Sequence, residues 1–247
     1  MNWVLLIFAA ASAIAAALFW WGRTRTGREL ALMRATATSN ARDIAGLTPG
    51  TLVEVKGKLK TAAPLTAEFS GRECVYYRSL TEREVERTTT NSEGKRETDT
   101  DYQTESDVVK FAAAMIEDAT GEVALDFKDA KVEGEQVHQR RELAGLGTSL
   151  LASIAGAGTR SYRYTEWIVA AGIPVYVLGT VTAEHTVAAD PARKNPFVIS
   201  IKSEEERERS LGSTQMWQLI AVIGLGILAL VLLYFAFTSG PVQSATP

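Results

Sequence analysis

The longest apolar runs of the chain lie near its two ends. Trp3 to Trp21 (WVLLIFAAASAIAAALFWW) and Trp217 to Phe237 (WQLIAVIGLGILALVLLYFAF) contain no charged residue. As helices that rise about 1.5 Å per residue, both runs are long enough to cross the roughly 30 Å hydrocarbon layer of a bilayer. The pattern therefore predicts two transmembrane helices, at residues 3–21 and 217–237.

Aromatic residues mark the ends of both runs. The first run differs from a secretory signal peptide, because no basic residue precedes it and it continues directly into Phe19-Trp20-Trp21. Amphipathic rings favour the headgroup level of a membrane. Five side chains are therefore expected to anchor the spans at the interface: Trp3, Trp20, Trp21, Trp217 and Tyr234.

Basic residues lie on the inner flanks of the two runs. They are Arg23, Arg25, Arg28 and Arg34 after the first run, and Lys202, Arg207 and Arg209 before the second. Residues 1–2 and 238–247 contain neither Lys nor Arg. The positive-inside rule therefore predicts an integral membrane protein with a cytoplasmic central region and both termini outside. A single cysteine agrees with a reducing compartment.

Two short helical patterns adjoin the predicted spans. Leu30, Met33 and Ala37 have helical spacing, and Thr48-Pro49-Gly50 ends the pattern. Residues 22–46 are therefore predicted as a membrane-proximal helix or linker. Residues 203–216, which include the charged stretch EEERER, are predicted as a juxtamembrane helix, and residues 238–247 as a tail.

Residues 47–202 are dominated by strand patterns. TLVEVKGKLK (51–60), the hairpin KFAAAMIEDATGEVALDF (110–127) and PVYVLGTVTAEH (174–185) alternate or cluster apolar positions, and residues 197–201 form a further short run. Interior glycines, with Gly179 as an expected bulge, indicate a small barrel that is closed or nearly closed. The predicted architecture is two transmembrane helices flanking a mainly-β α+β domain built on an OB-like small barrel.

Three segments of this region lack a clear strand pattern. Thr88 to Asp107 is almost entirely small-polar or charged, which predicts a mobile loop within residues 88–107. Leu143 to Gly158 carries no charge and is left open as a core helix, a cap or an element on the bilayer surface. Tyr162 to Trp167 is interpreted as a helix-like turn.

The segment GRECVYYRSLTEREVER, residues 71–87, contains the single cysteine. Strand alternation places Cys74 and Tyr76 on one face, with Val75 and Tyr77 on the other. Glu73 and Val75 do not favour a thiolate, so Cys74 is predicted to be a buried strand residue, although a catalytic role remains an alternative. No residue is assigned as catalytic. The polar positions form the expected partner surface: Tyr77, Arg78, Glu82, Arg83 and Glu86.

Charge and metal-ligand content exclude several functions. Lys and Arg number 26 against 29 acids, so the chain offers no basic field for nucleic acid. His138 and His185 lack metal-ligand spacing, and Gly145-Leu146-Gly147 lacks the rest of a phosphate-binding loop. The sequence therefore predicts neither a metal site nor a cofactor.

Three motifs in order resemble a known family. GRECVYYRSLTEREVER, FAAAMIEDATGEVALDF and YTEWIVAAGIPVYVLGTVT between two spans are similar to the GIDE domain. This domain is also called BAM, for "beside a membrane". It is known from mitochondrial membrane-anchored ubiquitin and SUMO ligases and from prokaryotic relatives. The resemblance covers about Leu47 to the end of the second span.

The resemblance implies a membrane-anchored relative of the E3 ligases. In the eukaryotic members a RING follows the second span, and its two zinc ions need eight Cys and His ligands at four per ion. These 247 residues hold one Cys and two His, too few for a RING. In the mitochondrial members the domain faces the intermembrane space, whereas the arginine flank here favours the cytoplasm and a prokaryotic plasma membrane.

The sequence thus favours a membrane-tethered, non-enzymatic adaptor or sensing module. Its expected partners are membrane lipids and a peptide, soluble protein or membrane protein beside the bilayer. Small residues in the spans would also allow homo-oligomerisation: Ala9, Ala13, Ala17, Gly224 and Gly226. Two alternatives stay open. One is an E3 ligase-like component that needs a transferase in trans, and the other is an enzyme of unidentified type that uses Cys74.

Overall fold

The computed structural model describes residues 3–90, 96–143 and 157–238, with the backbone alone at residues 86–90, 96–99, 157–160 and 205. The helices are α1 (Trp3–Ala35), a 3₁₀ helix (Ala41–Gly46) and α2 (Glu204–Thr238). The strands are β1 (Leu52–Lys60), β2 (Leu65–Thr66), β3 (Glu73–Cys74), β4 (Tyr76–Thr90), β5 (Arg96–Phe111), β6 (Ala114–Glu117), β7 (Glu122–Leu125), β8 (Lys131–Glu133), β9 (Glu135–Leu143), β10 (Ala157–Val169), β11 (Pro174–Val181), β12 (Val187–Ala188) and β13 (Val198–Ser200).

The chain divides into a helix pair (residues 1–37 and 203–247) and a β domain (residues 38–202). In the helix pair, both helices are long and apolar enough to cross a membrane, with mean hydropathies of 2.2 and 2.8 over their most apolar stretches. The predicted architecture, two long apolar helices flanking a β-rich domain with a small closed barrel, is confirmed.

Each helix is longer than its predicted span. α1 continues without a break from the span through Ala35, and α2 combines the predicted juxtamembrane helix with the second span. α1 runs through two glycines that lie against side chains of α2. A Cβ at Gly22 would lie 3.2 Å from Nε2 of Gln218, and one at Gly27 would lie 3.0 Å from Nε2 of Gln215.

The barrel of the β domain is a closed ring of five strands. Its order is β1-β6-β7-β12-β11, and β11 pairs with β1 to close it. The β7–β12 pair is parallel and the other pairs of the ring are antiparallel. Inward side chains form one apolar core, whose fully buried members include Val55, Leu59, Ile116, Val177 and Val187.

Gly179 lies in a regular part of β11, where neighbouring side chains pack closely against it. The β1–β11 register passes through Val53↔Gly179 without a shift, so the predicted bulge is wrong. A Cβ at Gly179 would lie 2.7 Å from Cγ1 of Val187 and 2.9 Å from Cδ2 of Phe197. The glycine is therefore required because neighbouring side chains cross directly over the strand.

An aspartate joins the 3₁₀ helix to the β6–β7 turn. Asp118 accepts hydrogen bonds from the backbone N–H groups of Ala41, Thr120 and Gly121 at 2.7, 2.7 and 3.1 Å. Burial opposes ionisation of this carboxyl, but these bonds and one from the Thr120 hydroxyl outweigh it and lower the pKa of Asp118 to about 2. The turn predicted at residues 117–121 is therefore also an attachment point.

A second sheet, of four antiparallel strands, extends the β domain in the order β5-β4-β10-β9. The β4–β5 ladder runs from Tyr76↔Phe111 to Thr90↔Arg96. Residues 88–90 and 96–107 are therefore strands, and the predicted loop at residues 88–107 is wrong for them. Tyr162 to Trp167 is likewise part of β10 and not a helix-like turn.

The polar composition of this hairpin concealed its strands. Ladder hydrogen bonds and cross-strand pairs such as Arg83–Glu105 stabilise it where apolar burial does not. The uncharged segment predicted at Leu143 to Gly158 lies largely outside the described residues, which exclude residues 144–156. Its ends belong to β9 and β10.

Candidate partner-binding surface

One face of the second sheet presents an exposed surface at the β5 edge. Cross-strand pairing aligns Trp167 with Arg78 and Arg78 with Val109, and the next row aligns Leu80 with Asp107. Directly paired residues lie on the same face of a sheet. We call five of these neighbours the β5 surface: Arg78, Asp107, Val109, Phe111 and Trp167.

An ion pair orders the centre of the β5 surface. Nε and Nη2 of Arg78 each donate a hydrogen bond of 2.8 Å to the two carboxylate oxygens of Asp107. The hydrogen bond from Arg78 lowers the pKa of Asp107, and the same bond raises the pKa of Arg78. The guanidinium also lies 5.7 Å from the Trp167 ring, within cation–π range. The two charges are therefore paired in a fixed geometry.

Two apolar side chains of β5 remain open to solvent. Val109 is 47 % exposed and Phe111 is 42 % exposed. The Phe111 ring stacks 6.0 Å from the ring of Phe127, which is buried in the barrel core. The apolar part of the surface is therefore attached to the rigid core of the domain.

The edge next to these side chains is unpaired. Within the described part of the chain, β5 pairs with β4 alone. Farther along β5, the N–H of Tyr102 donates to the carboxylate of its neighbour Asp101 at 2.9 Å, and the guanidinium of Arg163 lies 4.2 Å from the Tyr102 ring. A strand edge with exposed apolar side chains is a template for pairing with another chain.

A buried carboxylate holds the opposite face of the sheet to the β2–β3 hairpin. Glu166 is fully buried and accepts hydrogen bonds from the N–H groups of Phe69 and Ser70 at 2.8 and 2.9 Å. The Ser79 hydroxyl donates a third, also at 2.8 Å. Burial alone would raise the pKa of Glu166, but the hydrogen bonds outweigh it and lower the pKa. Glu166 of β10 thus links its own strand to β4 and to the loop between β2 and β3.

Cys74 lies in this same buried layer. Its side chain is fully buried with Ala67, Tyr77 and Ile168, and its thiol lies 3.7 Å from the carbonyl oxygen of Leu65. Burial, together with the negative charge of Glu166, raises the pKa of Cys74 to about 11. An activated nucleophile needs a lowered thiol pKa and solvent access. The environment of Cys74 provides neither.

The predicted partner surface is only partly exposed. Tyr77 is buried in the Cys74 cluster, so its prediction as a partner residue is wrong. The reason is a bend at Val75, whose N–H donates to Val169 and whose carbonyl accepts from Ala112. The bend separates β3 from β4 and shifts the alternation, so that Cys74 and Tyr77 share a cluster.

The charged members of that prediction are distributed over both faces. Glu82 pairs with Arg163 at 2.8 Å on the face of Arg78. Arg83 donates to the side chain of Gln103 at 2.8 Å and lies 3.7 Å from Glu105. Arg78 is the member that belongs to the β5 surface. The Glu86 side chain lies outside the described part of the structure.

Sequence reasoning missed four residues of the β5 surface. Asp107 lies inside the predicted loop, and Val109 and Phe111 follow that loop directly. Trp167 lies in the segment interpreted as a turn. A signal was present in the alternation of Asp107, Val109 and Phe111, but the polar run before them obscured it.

The two histidines lie in β9 and in the turn after β11. The His138 ring packs 5.9 Å from the Phe69 ring beside Glu166, and His185 occupies a turn with a positive φ of 57°. Among the described residues, no group of three or more His, Cys, Asp or Glu side chains is arranged to hold a metal ion.

An open cleft of about 590 Å³ lies elsewhere on the β domain, between the β7–β8 and β12–β13 connections. Its most hydrogen-bonded carboxylate, Asp190, accepts bonds from the N–H groups of Ala192, Lys194 and Asn195. These bonds lower the pKa of Asp190. The carboxylate therefore stabilises the loop fold around it.

The predicted interface anchors all lie in the helix pair with their rings exposed: Trp3, Trp20, Trp21, Trp217 and Tyr234. Exposed aromatic and aliphatic side chains cover both helices along their apolar lengths. A soluble helix pair would bury such side chains, so this exposure is what a lipid environment accommodates.

Comparison with known proteins identifies the family. The model of the GIDE family, described as "E3 Ubiquitin ligase", matches residues 82–233, which is more than half of the chain. The match begins in β4 and ends in α2. No curated protein and no solved structure matches the chain. The resemblance seen in the three motifs is confirmed, and the chain belongs to the GIDE family.

Proposed function

We propose that this protein is a membrane-tethered, non-enzymatic adaptor that captures an extended segment of a partner protein. The observation that carries the proposal is the unpaired β5 edge with Val109 and Phe111 exposed beside it. An extended segment can add to such an edge as a further strand, with main-chain hydrogen bonds for affinity and alternate side-chain contacts for specificity.

The β5 surface suits an extended segment with alternating apolar side chains. Asp107 is neutralised by Arg78, so the centre of the surface carries no uncompensated charge. Val109 and Phe111 lie two residues apart, which matches the period of side chains on one face of a strand. The Trp167 ring and the Arg78 guanidinium provide a planar, partly apolar boundary.

Binding without chemical transformation agrees with the inert state of the single thiol. Cys74 has a raised pKa and no exposed surface. The family description also names an E3 ubiquitin ligase, and these 247 residues lack the ligands of a RING. The captured partner would then be either a client or a transferase acting in trans.

Two matched variants test the proposal in the full-length protein. Val109→Lys places a charge on the β5 edge, whereas Met115→Lys makes the same kind of change at a barrel residue with 42 % exposure. A photo-crosslinkable residue at Phe111 is introduced into each variant, and crosslinked proteins are identified by mass spectrometry. We expect one defined partner that Val109→Lys loses and Met115→Lys retains.

The same experiment distinguishes capture at the β5 edge from the two alternatives. Equal recovery from both variants would contradict capture at the β5 edge. A recovered transferase that attaches ubiquitin-like proteins would favour the ligase component acting in trans. Turnover of any substrate by the purified chain alone would contradict the adaptor.

We further propose that the β domain faces the cytoplasm of a prokaryotic plasma membrane. The support is the arginine content of α1 after the apolar run: Arg23, Arg25, Arg28 and Arg34. A Ser106→Cys, Cys74→Ala variant tests the orientation, because Ser106 is exposed on β5. A membrane-impermeant maleimide should label it in broken cells only, and labelling of intact cells would reverse the orientation.

A further inference from the structure

A pocket lies between the two helices of the helix pair, where the charge-free run of α1 ends. Its volume is about 450 Å³, within the range of small-molecule sites of roughly 300–1,000 Å³. The lining residues that matter here are Trp20, Arg23, Thr24, Gly27, Arg34 and Gln215. All but Gln215 belong to α1, at spacings of three, four or seven residues that place them on one helical face.

The pocket carries positive charge that the described residues do not fully neutralise. Arg23 donates from Nη1 to the backbone carbonyl oxygen of Gln215 at 2.5 Å, and no ion pair to Arg23 is found in the described part of the chain. Arg34 pairs with Glu208 at 2.9 Å, with a well-exposed side chain. The nearby Glu29 is engaged by the buried Arg207. No carboxylate lines the pocket itself.

The depth of the pocket in a membrane follows from its residues. Trp20 lies near the end of the uncharged run that is long enough to span a bilayer, and Arg23 is the first charged residue after it. Tryptophan rings concentrate at the headgroup level, and arginines next to a span interact with anionic lipid headgroups. Phosphate groups of the same bilayer therefore lie at the level of the Arg23 guanidinium, whereas Arg34 lies roughly 16 Å farther along α1.

Close contact between the helices shapes the pocket. A Cβ at Gly27 would lie 3.0 Å from Nε2 of Gln215, so the glycine allows α2 to approach α1 at this level. Arg25 and Arg28 do not line the pocket, and Arg25 stacks 3.6 Å from the Trp21 ring. The chain thus offers Arg23 inside the pocket and Arg25 outside it, two residues apart on the same helix.

We propose that this pocket is a binding site for the headgroup of an anionic phospholipid. The headgroup phosphate accepts hydrogen bonds from Arg23, and the Trp20 ring borders the start of the acyl chains. The site is independent of the proposed peptide capture, because every residue of the pocket belongs to the helix pair.

Lipid titration followed by native mass spectrometry tests the site in the full-length protein. Phosphatidylglycerol and phosphatidylcholine with identical acyl chains are titrated into the detergent-solubilised chain. The wild type should bind one phosphatidylglycerol about fivefold more tightly than phosphatidylcholine. Arg23→Gln should remove that preference. The matched variant Arg25→Gln, which loses the same charge outside the pocket, should keep it.

Three outcomes would overturn the proposal. Equal affinity of the wild type for both lipids would mean that the pocket does not recognise an anionic headgroup. Equal loss in the two variants would indicate general attraction to the arginine segment. Displacement of phosphatidylglycerol by an excess of inorganic phosphate would assign the pocket to a free anion. Circular dichroism verifies that each variant retains its helices.

Discussion

The guanidinium of Arg78 and the carboxylate of Asp107 form a two-pronged ion pair across β4 and β5, with both hydrogen bonds at 2.8 Å. The pair joins the edge strand to its inner neighbour at the centre of the β5 surface. Its position beside Val109 makes it an orienting element for any segment that docks on this edge.

We expect the Arg78–Asp107 pair to contribute modestly to stability. A double-mutant cycle with Arg78→Ala and Asp107→Ala should give a coupling free energy of roughly 0.5–1 kcal/mol, because bidentate geometry strengthens a pair that solvent still screens. Unfolding of the full-length protein can be followed through a fluorinated tryptophan at Trp167, which is the tryptophan of the β domain.

The pair Arg72–Glu135, at 3.8 Å on the same domain, is the control for that cycle. Both of its side chains are more than half exposed, and its coupling should lie near zero. Equal coupling free energies in the two cycles would contradict the ordering role of the Arg78–Asp107 pair.

Removing the buried Glu166 carboxylate should weaken the domain strongly. Glu166→Ala leaves the N–H groups of Phe69 and Ser70 without their acceptor, so the free energy of unfolding should fall by roughly 2–3 kcal/mol. Glu135→Ala, at an exposed position, should change it by less than about 0.5 kcal/mol. If Glu166→Ala lowers the free energy of unfolding no more than Glu135→Ala does, the hydrogen bonds to Glu166 do not stabilise the sheet.

The same carboxylate gives a pH dependence of definite sign. The pKa of Glu166 is lowered below its ordinary value of 4.5 in the folded protein. Its contribution to stability is therefore fully present above pH 4.5 and is lost as the pH falls through the lowered pKa. Subtracting the unfolding profile of Glu166→Gln from that of the wild type isolates this contribution. A difference that instead grows below pH 4.5 would have the wrong sign.

Cys74 should resist thiol reagents in the folded chain. With a pKa of about 11, only about one thiol in a thousand is ionised at pH 8, and the side chain is fully buried. Labelling by an aromatic disulfide reagent should therefore wait for unfolding in urea. The exposed cysteine of Ser106→Cys, Cys74→Ala supplies the reference rate. If Cys74 in the folded protein is labelled as fast as the cysteine introduced at residue 106 of the variant, the result would favour the alternative of an enzyme that uses Cys74.

Gly57 should be intolerant of a side chain. A Cβ there would lie 2.7 Å from Cγ2 of Ile116 and would collide with the backbone oxygen of Glu117, because β1 and β6 pair at this point. Gly57→Ala should lower the free energy of unfolding by roughly 1–3 kcal/mol. Gly46→Ala is the control, since nothing lies within 4 Å of its added Cβ. Similar stabilities of the two variants would mean that the barrel can relax around the new methyl group.

The barrel was predictable because its signals are local. The alternation in TLVEVKGKLK and the run in PVYVLGTV predict two strands, and these strands pair with each other to close the ring. The sequence alone does not show why a glycine is needed at a given position of a strand. At Gly179 the cause is crowding by Val187 and Phe197, which come from the strand and loop that follow.

The β5 surface was much less predictable, because it depends on tertiary pairing. β4 and β5 are polar on both faces over much of their length, so neither hydrophobic periodicity nor composition identifies them as strands. Tyr77 was assigned to the surface because its burial depends on the bend at Val75, for which the sequence provides no turn residue. Arg78 was predicted, but its partner Asp107 lies 29 residues away.

Site-specific photo-crosslinking along β5 tests capture of an extended segment most directly. A crosslinkable residue is placed in turn at each position from 106 to 111 in the full-length protein within its own membrane. Capture on the β5 surface predicts strong crosslinks to one partner at residues 107, 109 and 111 and weak ones at residues 106, 108 and 110. Crosslinks of equal strength at all six positions, or none at any of them, would contradict it.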